Sequence, residues 1–290
     1  MAVESENLLE TLALEPVAAD RFRGHGSPFG GARIFGGHLI AQALLAAYET
    51  VQGKACHSLN CAFLRPGDSA APVLFEVERI GDGSAFAARR VIATQGERRI
   101  LDVATSFQAP ESGLEHQGDA PQAEPPEAFV DEARHIAGLG DVMPADLRAR
   151  LIRPRPVEIR LGDPIAFCET APAASRQWMR SRTRLPDNRR YHQALLAYAS
   201  DIGLIEVGMR PHGVDWRMPG VQSASLSHAV WFHRPTDFNG WHLYMQDSPV
   251  ASGGRALNRS QVFDAQGLLV ASVTQESLIR VRRSQPDQTG

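Results

Sequence analysis

An internal repeat is the feature that most constrains the fold of this chain. Three short segments of the first half recur in the same order in the second half, at offsets of 151, 169 and 167 residues. The matching pairs are Gln42–Tyr48 with Gln193–Ala199, Arg65–Pro66 with Arg234–Pro235, and Val103–Gln108 with Val270–Gln275. A unit of this length is a folded module, since solenoid repeats span only about 20–50 residues. The 290-residue chain is therefore predicted to contain two related units in tandem.

Each unit begins with a short polar-apolar stretch, Arg21–Arg23 in the first and Arg176–Arg180 in the second, followed by a helix and a run of strands. The segments Leu39–Val51 and Asp187–Ile202 are apolar or alanine on most faces, which predicts buried helices. Strand-like segments separated by turn residues follow each helix. The predicted strands are Leu59–Leu64, Val73–Ile80, Ala85–Thr94, Arg99–Gln108, Ser225–His233, Trp241–Gln246, Arg255–Asp264 and Leu268–Arg280. A buried helix wrapped by a twisted antiparallel sheet is a hotdog fold, so the predicted class is α+β, a double hotdog.

The composition changes between the two units. Pro121–Pro126 is rich in proline, alanine and glutamate, which is typical of a solvated linker. Pro144–Leu151 has the composition of a short helix. The predicted boundaries are residues 1–110 for the N-terminal hotdog unit, 111–156 for a linker in which short helices can form, and 157–290 for the C-terminal hotdog unit.

Charge and cysteine content narrow the class of protein. The formal net charge is -3 and no domain is strongly basic, so a nucleic-acid partner is not expected. Three cysteines are too few and too odd in number for a disulfide scaffold, which favours reduced thiols in the cytosol. Met1–Glu10 lacks the regions of a secretory signal, and no apolar run reaches the ~18 residues of a membrane span. A soluble, cytoplasmic protein is predicted.

Several short motifs carry a resemblance to a known family. In chain order they are Phe35–Gly37, Phe63–Asp68, Ser84–Val91, Ala104–Pro110, Tyr198–Asp201, His228–Pro235 and Val270–Glu276. Their combined order and spacing resemble the acyl-CoA thioesterase II family over nearly the whole chain. The resemblance implies a double hotdog that hydrolyses medium- to long-chain acyl-CoA without a cofactor or a metal. Hotdog units often pair further, so a homo-oligomer (dimer or tetramer) is also expected.

The family resemblance also implies a catalytic set. Its Asp, its Thr or Ser, and its Gln map by motif onto Asp201, Ser225 and Gln275. Many members have threonine where this chain has Ser225, which keeps the hydroxyl and loses a methyl group. Thioester hydrolysis needs an aligned water, a base, and donors for the developing oxyanion. We expect direct attack by water, because the sequence has no Gly-x-Ser-x-Gly nucleophile elbow.

Each of the three residues also has a structural explanation. Asp201 can be a helix-end carboxylate that faces solvent, although a carboxylate within the apolar stretch Ala197–Leu204 is costly unless it is hydrogen-bonded or reactive. Ser225 can be a serine at a strand start, and Gln275 an amide that bonds to backbone. The sequence alone leaves both explanations open.

Other residues are candidates for binding the acyl-CoA substrate. Glycines at a helix start can bring backbone N–H groups close to a thioester carbonyl, or simply form a tight turn. Guanidinium groups suit CoA phosphates, or a solvated strand face. A strand histidine near two cysteines lacks zinc-site spacing, and either lines a pocket or packs in the sheet. The candidates are Gly36, Gly37, His57, Arg89, Arg90, Arg255 and Arg259.

The repeat is unequal at the catalytic positions. The predicted counterparts are Thr50 for Asp201, Cys56 for Ser225 (or His57, if the local alignment slips by one residue), and Gln108 for Gln275. A lone amide cannot accept a proton, so we expect one working site per chain, built mainly from the second unit.

Two other functions stay open at this point. One is an enoyl-CoA hydratase of the hotdog type, which usually needs an Asp and a His in one motif, whereas Tyr198–Asp201 contains no His. The other is an acyl-CoA-binding or sensing protein that has lost catalysis. Release of free thiol distinguishes the hydrolase from both.

Overall fold

A computed structural model describes residues 8–26, 31–140, 143, 148–149, 151–152, 155–164 and 169–282. Cys168 and most of the predicted helix Pro144–Leu151 lie outside the described residues.

Within the described residues, thirteen strands form one sheet in which every neighbouring pair is antiparallel. The strands are β1 Glu15–Ala18, β2 Arg21–Gly24, β3 Ala55–Phe63, β4 Val73–Asp82, β5 Phe86–Gln95, β6 Arg98–Gln108, β7 Val130–Asp131, β8 Val157–Leu161, β9 Ala174–Ser181, β10 Val221–Phe232, β11 His242–Ser252, β12 Arg255–Asp264 and β13 Leu269–Val281. Their order is β1-β2-β4-β5-β6-β3-β10-β13-β12-β11-β9-β8-β7. The pairing of β3 with β10 therefore joins two similarly ordered halves at the centre.

Five short or medium helices accompany the sheet in the described part of the chain. They are α1 Leu8–Thr11, α2 Gly36–Tyr48, α3 Glu132–Gly138, α4 Arg189–Ser200 and α5 Leu204–Val207. Two 3₁₀ turns, Pro126–Ala128 and Arg210–His212, are also present, and the described residues 148, 149 and 151 are helical. The predicted α+β class, with one long helix and one antiparallel sheet in each half, is confirmed.

Helices α2 and α4 lie in the core because their sequences are apolar on most faces. Every residue of α2 from Gly37 to Ala47 is buried, and α4 is buried from His192 to Ser200. The side chain of Asn188 accepts a hydrogen bond from the backbone of Arg190, which caps the start of α4. The two helices share one hydrophobic core with the inner face of the sheet.

The linker between the halves packs on the outer face of the second half. Phe129 and Trp178 lie in a second hydrophobic cluster with Leu243 and Phe263. The indole N–H of Trp178 donates to the carbonyl oxygen of Glu124 at 3.0 Å. These contacts hold the linker against β9, β11 and β12.

The start of α2 abuts the end of α4 without room for a side chain. A Cβ atom on Gly37 would lie 2.3 Å from the carbonyl oxygen of Tyr198. A Cβ atom on Gly36 would lie 2.7 Å from a carboxylate oxygen of Asp201. The glycines predicted to allow a tight helix start therefore also permit close contact between the helices.

We predict that Gly37→Ala destabilises the protein, by about 1–3 kcal/mol, because the added methyl overlaps a backbone carbonyl that cannot move freely. The gain in helix propensity, about 1 kcal/mol, is too small to reverse the sign. Gly113→Ala is the matched control, since a Cβ atom there meets no atom within 4 Å. Equal free energies of unfolding for the two variants in urea titrations would contradict this prediction.

Candidate active site

Asp201 lies at the junction of the two core helices. It caps the C-terminal end of α4 and is only 7% exposed. Its Oδ2 accepts a hydrogen bond from the backbone N–H of Gly37 at 2.9 Å, and its Oδ1 accepts one from the Ser225 hydroxyl at 3.1 Å. Gly37 lies in the first turn of α2, where backbone N–H groups lack helical partners and favour negative charge. The solvent-facing alternative for Asp201 is therefore wrong.

Burial dominates the protonation of this carboxyl group. Removal from water raises the pKa of Asp201 to about 7, and the hydrogen bonds from Ser225 and Gly37 offset only part of that increase. Among the described residues, no cationic side chain forms an ion pair with Asp201. A carboxylate with this pKa accepts and returns a proton near neutral pH.

A bulge in β10 turns Ser225 toward Asp201. Ser225 pairs with Ser277 on β13, the register then shifts by one residue, and His228 pairs with Gln275. Side chains three apart on a regular strand point to opposite faces, and the extra residue at Leu226 restores a common face. Ser225 and His228 thus both face α4, and Ser225 keeps partial exposure through which a substrate can approach.

Gln275 is the third predicted catalytic residue, and it is 1% exposed. Its Oε1 lies 2.7 Å from Nδ1 of His228, and its Nε2 donates to the Ser277 hydroxyl at 3.0 Å. None of the hydrogen bonds among the described side chains joins Gln275 directly to Asp201 or Ser225. Ser277, which accepts this hydrogen bond, lies opposite Ser225 in the ladder. Gln275 is therefore next to the residue that pairs with Ser225.

Sequence reasoning missed the polar network around Gln275. The His228 ring reaches Ser200, the residue before Asp201, at 2.8 Å, and Asn258 donates to Ser277 at 3.0 Å. The sequence contains a pattern that indicates this network, because polar residues occupy alternate positions on two adjacent strands and are buried there. These residues are Asn258 and Ser260 on β12, and Gln275 and Ser277 on β13.

Strand register corrects one predicted equivalence between the halves. In the first half, Cys56 pairs with Phe107, the register shifts, and Leu59 pairs with Thr105. The bulge therefore matches Thr105 to Gln275 in the second half. Gln108 lies at the end of β6, where it bonds to Glu111, so its match to Gln275 is wrong. The segments Val103–Gln108 and Val270–Gln275 are similar in composition, but the hydrogen-bond register decides which residues are equivalent.

Arg89 occupies the first half's equivalent of the catalytic region. It is 2% exposed and donates to the hydroxyl and carbonyl of Thr50 at 2.8 and 3.0 Å, and to Asp82 at 2.6 Å. Two further bonds reach backbone carbonyls of β4 and β5. The Arg89 guanidinium is buried and bonded inside the protein, which disfavours contact with a CoA phosphate, and its role in CoA binding stays a prediction.

The other predicted phosphate ligands lie on the surface. Arg90 pairs with Asp102, Arg255 with Glu276, and Arg259 with Asp247, all as exposed or partly exposed ion pairs. Such pairs contribute little to stability, so a phosphate can replace the carboxylate at low cost. Their role in CoA binding stays a prediction.

His57 and Gly37 have partners within the protein. His57 is the bulge residue of β3, is half-buried, and bonds to the Ser106 hydroxyl at 2.8 Å. The N–H of Gly37 is directed at Asp201 and not at a thioester carbonyl, while Gly36 contributes space for the same carboxylate. Substrate contacts at these residues remain predictions.

Two general features of the described chain bear on its class. Across the described ranges, no cluster of three or more His, Cys, Asp or Glu side chains is arranged to hold a metal ion. Among the helices in those ranges, none has both the length and the apolarity to cross a bilayer.

Comparisons with known proteins place this geometry in a family. Two family profiles match, one described as acyl-CoA thioesterase N-terminal domain over residues 25–108 and one as acyl-CoA thioesterase over residues 162–278. The chain is 37% identical to acyl-CoA thioesterase 2 of Haemophilus influenzae, over 94% of this chain and 97% of the relative. It is 33% identical to human acyl-coenzyme A thioesterase 8, over 93% of this chain and 88% of the relative.

A solved structure gives the same result for the fold. The acyl-CoA thioesterase II TesB2 from Mycobacterium marinum superposes with a TM-score of 0.77 and 34% identity, covering 95% of this chain and 98% of that one. With similarity along both halves and a shared double-hotdog fold, this chain belongs to the acyl-CoA thioesterase II family.

Proposed function

We propose that this protein hydrolyses medium- to long-chain fatty acyl-CoA to free fatty acid and CoA by direct attack of an activated water. The observation that carries the proposal is the Asp201 carboxyl group, which is buried, has a pKa near 7, and is held by Gly37 and Ser225. A base with this pKa suits catalysis at neutral pH. The names of the relatives support the substrate class, acyl-CoA thioesters.

Each group has a definite part in the proposed reaction. The Asp201 carboxylate takes a proton from water while the water oxygen bonds to the thioester carbonyl carbon. The Ser225 hydroxyl holds the carboxylate in place beside that water. The Gln275 amide nitrogen carries two hydrogens, of which Ser277 accepts one and the developing oxyanion accepts the other. Collapse of the tetrahedral intermediate breaks the C–S bond, and the proton returns from Asp201 to the departing thiolate.

The two halves have different parts in this proposal. The second unit, residues 157–290, supplies all three side chains, and the first unit, residues 1–110, supplies the helix start that bonds to Asp201. In the linker between them, the described residues Gln117, Glu124 and Phe129 contact strands of the second unit. A cytoplasmic location and a homo-oligomer (dimer or tetramer) remain predictions. The free, buried thiols of Cys56 and Cys61 fit a reducing compartment.

The first test is the release of free thiol from saturated acyl-CoA over a series of chain lengths. We expect release with medium and long chains, and little effect of EDTA. A hydratase or a binding protein would release no thiol from any member of the series. Loss of activity in EDTA that zinc restores would overturn the metal-free route.

The route is tested in the same assay by a single turnover in oxygen-18 water. Direct attack places the label in the first fatty acid released. If Asp201 attacked the thioester and water then opened the anhydride at the Asp201 carbon, the first acid would be unlabelled. That result would exclude direct attack.

The second prediction concerns pH. We expect kcat/KM to rise with pH through an apparent pKa near 7, because only ionised Asp201 accepts a proton. Ser225→Ala should raise this kinetic pKa, since the hydroxyl stabilises the charged form, and Ser225→Thr should leave it near the wild-type value. If Ser225→Ala leaves the kinetic pKa unchanged, that pKa does not belong to Asp201.

The third prediction concerns stability. The fold raises the pKa of Asp201 above that of the unfolded chain, so ionisation costs stability as pH rises from about 4 to about 7, and the cost is constant above that range. Asp201→Asn keeps an acceptor for Gly37 and a donor for Ser225 but carries no charge. We expect this variant to lose activity by orders of magnitude yet to be more stable than wild type at pH 8, by about 2–4 kcal/mol. The difference should vanish at pH 4 in urea titrations, and a variant that is less stable at pH 8 would contradict the prediction.

The fourth prediction separates the two glutamines. Gln275→Ala should lose about 2–4 kcal/mol of transition-state stabilisation, the usual cost of removing an oxyanion donor. Gln108→Ala should change it by less than about 0.5 kcal/mol, because Gln108 bonds only to Glu111 near the surface. The measurement is kcat/KM of both variants, each with a circular dichroism spectrum like that of the wild type. An equally impaired Gln108→Ala enzyme would mean that the first half also holds a working site.

A further inference from the structure

The imidazole of His228 connects the helix that ends at Asp201 with the strand that carries Gln275. The ring is 1% exposed, and both nitrogens are engaged. Nδ1 lies 2.7 Å from Oε1 of Gln275, and Nε2 lies 2.8 Å from the hydroxyl of Ser200. Ser200 immediately precedes Asp201 in the chain. One side chain thus couples the proposed base to the proposed oxyanion donor.

The ring is neutral, which fixes how its hydrogen bonds are shared. Burial lowers the pKa of His228 to about 4, so at neutral pH one nitrogen donates and the other accepts. With Oε1 of Gln275 facing the ring as an acceptor, the hydrogen lies on Nδ1. Nε2 then accepts the hydrogen of Ser200, whose other acceptor within reach is the Ala197 carbonyl at 2.8 Å.

The alternative tautomer would reverse the Gln275 amide. A hydrogen on Nε2 would leave Nδ1 as a lone pair, so Gln275 would have to turn its nitrogen toward the ring. Its oxygen would then face Ser277 and Ser225, where a developing oxyanion would meet a lone pair instead of a donor. The tautomer of His228 thus decides which end of the amide faces the reaction.

We propose that His228 is a positioning residue that, as the Nδ1–H tautomer, holds Oε1 of Gln275 and turns its amide nitrogen toward Ser277 and the reacting carbonyl. This inference rests on the proposed hydrolase function and adds a residue to its site.

The first half of the chain supports this assignment by contrast. Strand register matches His228 to Leu59, which is fully buried and faces Thr105 where His228 faces Gln275. An apolar residue therefore fills the same position when no amide has to be oriented. A histidine here is not required for packing, and burying its polar ring is costly without partners.

Two substitutions at His228 separate its nitrogens. His228→Asn keeps an amide group near the position of Nδ1 and loses the reach to Ser200. His228→Gln keeps an amide near the position of Nε2 and loses the contact with Gln275. We expect His228→Asn to stay within about fivefold of the wild-type kcat and His228→Gln to lose about 10–100-fold, since a misplaced catalytic group costs up to about 100-fold. KM should change by less than about threefold in both variants.

The pattern of results distinguishes positioning from packing. Equal kcat values for two variants of similar thermal melting temperature would reduce His228 to a packing residue. Nitrogen NMR of the wild-type protein labelled in histidine should show Nδ1 protonated and Nε2 unprotonated, and the opposite tautomer would overturn the assignment. If either variant fails to fold, the wild-type spectrum still reports the tautomer of His228. The Nδ1 signal should also shift in the folded Gln275→Ala variant, because Nδ1 loses its partner there.

Failure of the positioning role is separable from failure of the function. Wild type and Asp201→Asn are assayed alongside for thiol release. An active wild type, an inactive Asp201→Asn and a fully active His228→Gln would retain the hydrolase and reject the positioning role. A wild type that releases no thiol from any acyl-CoA would reject both.

Discussion

The hydrogen bond from the Gly37 backbone to Asp201 is the contact on which the rest of the site depends. It joins the first turn of α2 to the C-cap residue of α4, and so links the two halves of the chain at their core. Neither half can form this contact alone, because the donor and the acceptor are 164 residues apart. The glycines are required for the same reason, since any Cβ atom at this helix start would collide with α4. Fusion of two hotdog units in one chain therefore has a direct chemical consequence.

The electrostatic balance at Asp201 depends on how little compensation the fold provides. Two hydrogen bonds stabilise the charged form, while nearly complete burial opposes it, and burial dominates. A buried arginine in contact would reverse the outcome and hold the carboxylate ionised well below neutral pH. The two hydrogen bonds are thus sufficient to hold the carboxylate in position, but they are not sufficient to keep it ionised below neutral pH. A general base at neutral pH needs both conditions.

The sequence was sufficient for the architecture and insufficient for the register. Periodicity and turn residues predicted eight of the thirteen described strands, and β12 was predicted at its observed bounds, Arg255–Asp264. β11 extends six residues beyond its predicted end at Gln246, and β1, β2, β7, β8 and β9 were not predicted as strands. The bulges at His57 and Leu226 were not predictable, because no glycine or proline marks them and each merely adds one residue to its strand. A one-residue shift changes which side chains face each other, and this is why Gln108 was matched to Gln275 in error. The burial of Arg89 was missed for a related reason, since alternation alone does not say which strand face covers a helix end.

In the proposed mechanism, the two halves hold different versions of the same site, one with the catalytic side chains and one without them. Where the second half has neutral Asn258 beside Gln275, the first half has Arg89 beside Thr105. The Arg89 guanidinium lies at the end of α2 and bonds to Thr50, the residue that corresponds to Asp201 by the helix repeat. Restoring an aspartate at position 50 would therefore not restore a base, because the adjacent guanidinium would pair with it and lower its pKa. The second half has neutral Asn258 at the position of Arg89, so no cation there offsets burial, and desolvation stays the dominant influence on the Asp201 carboxyl group.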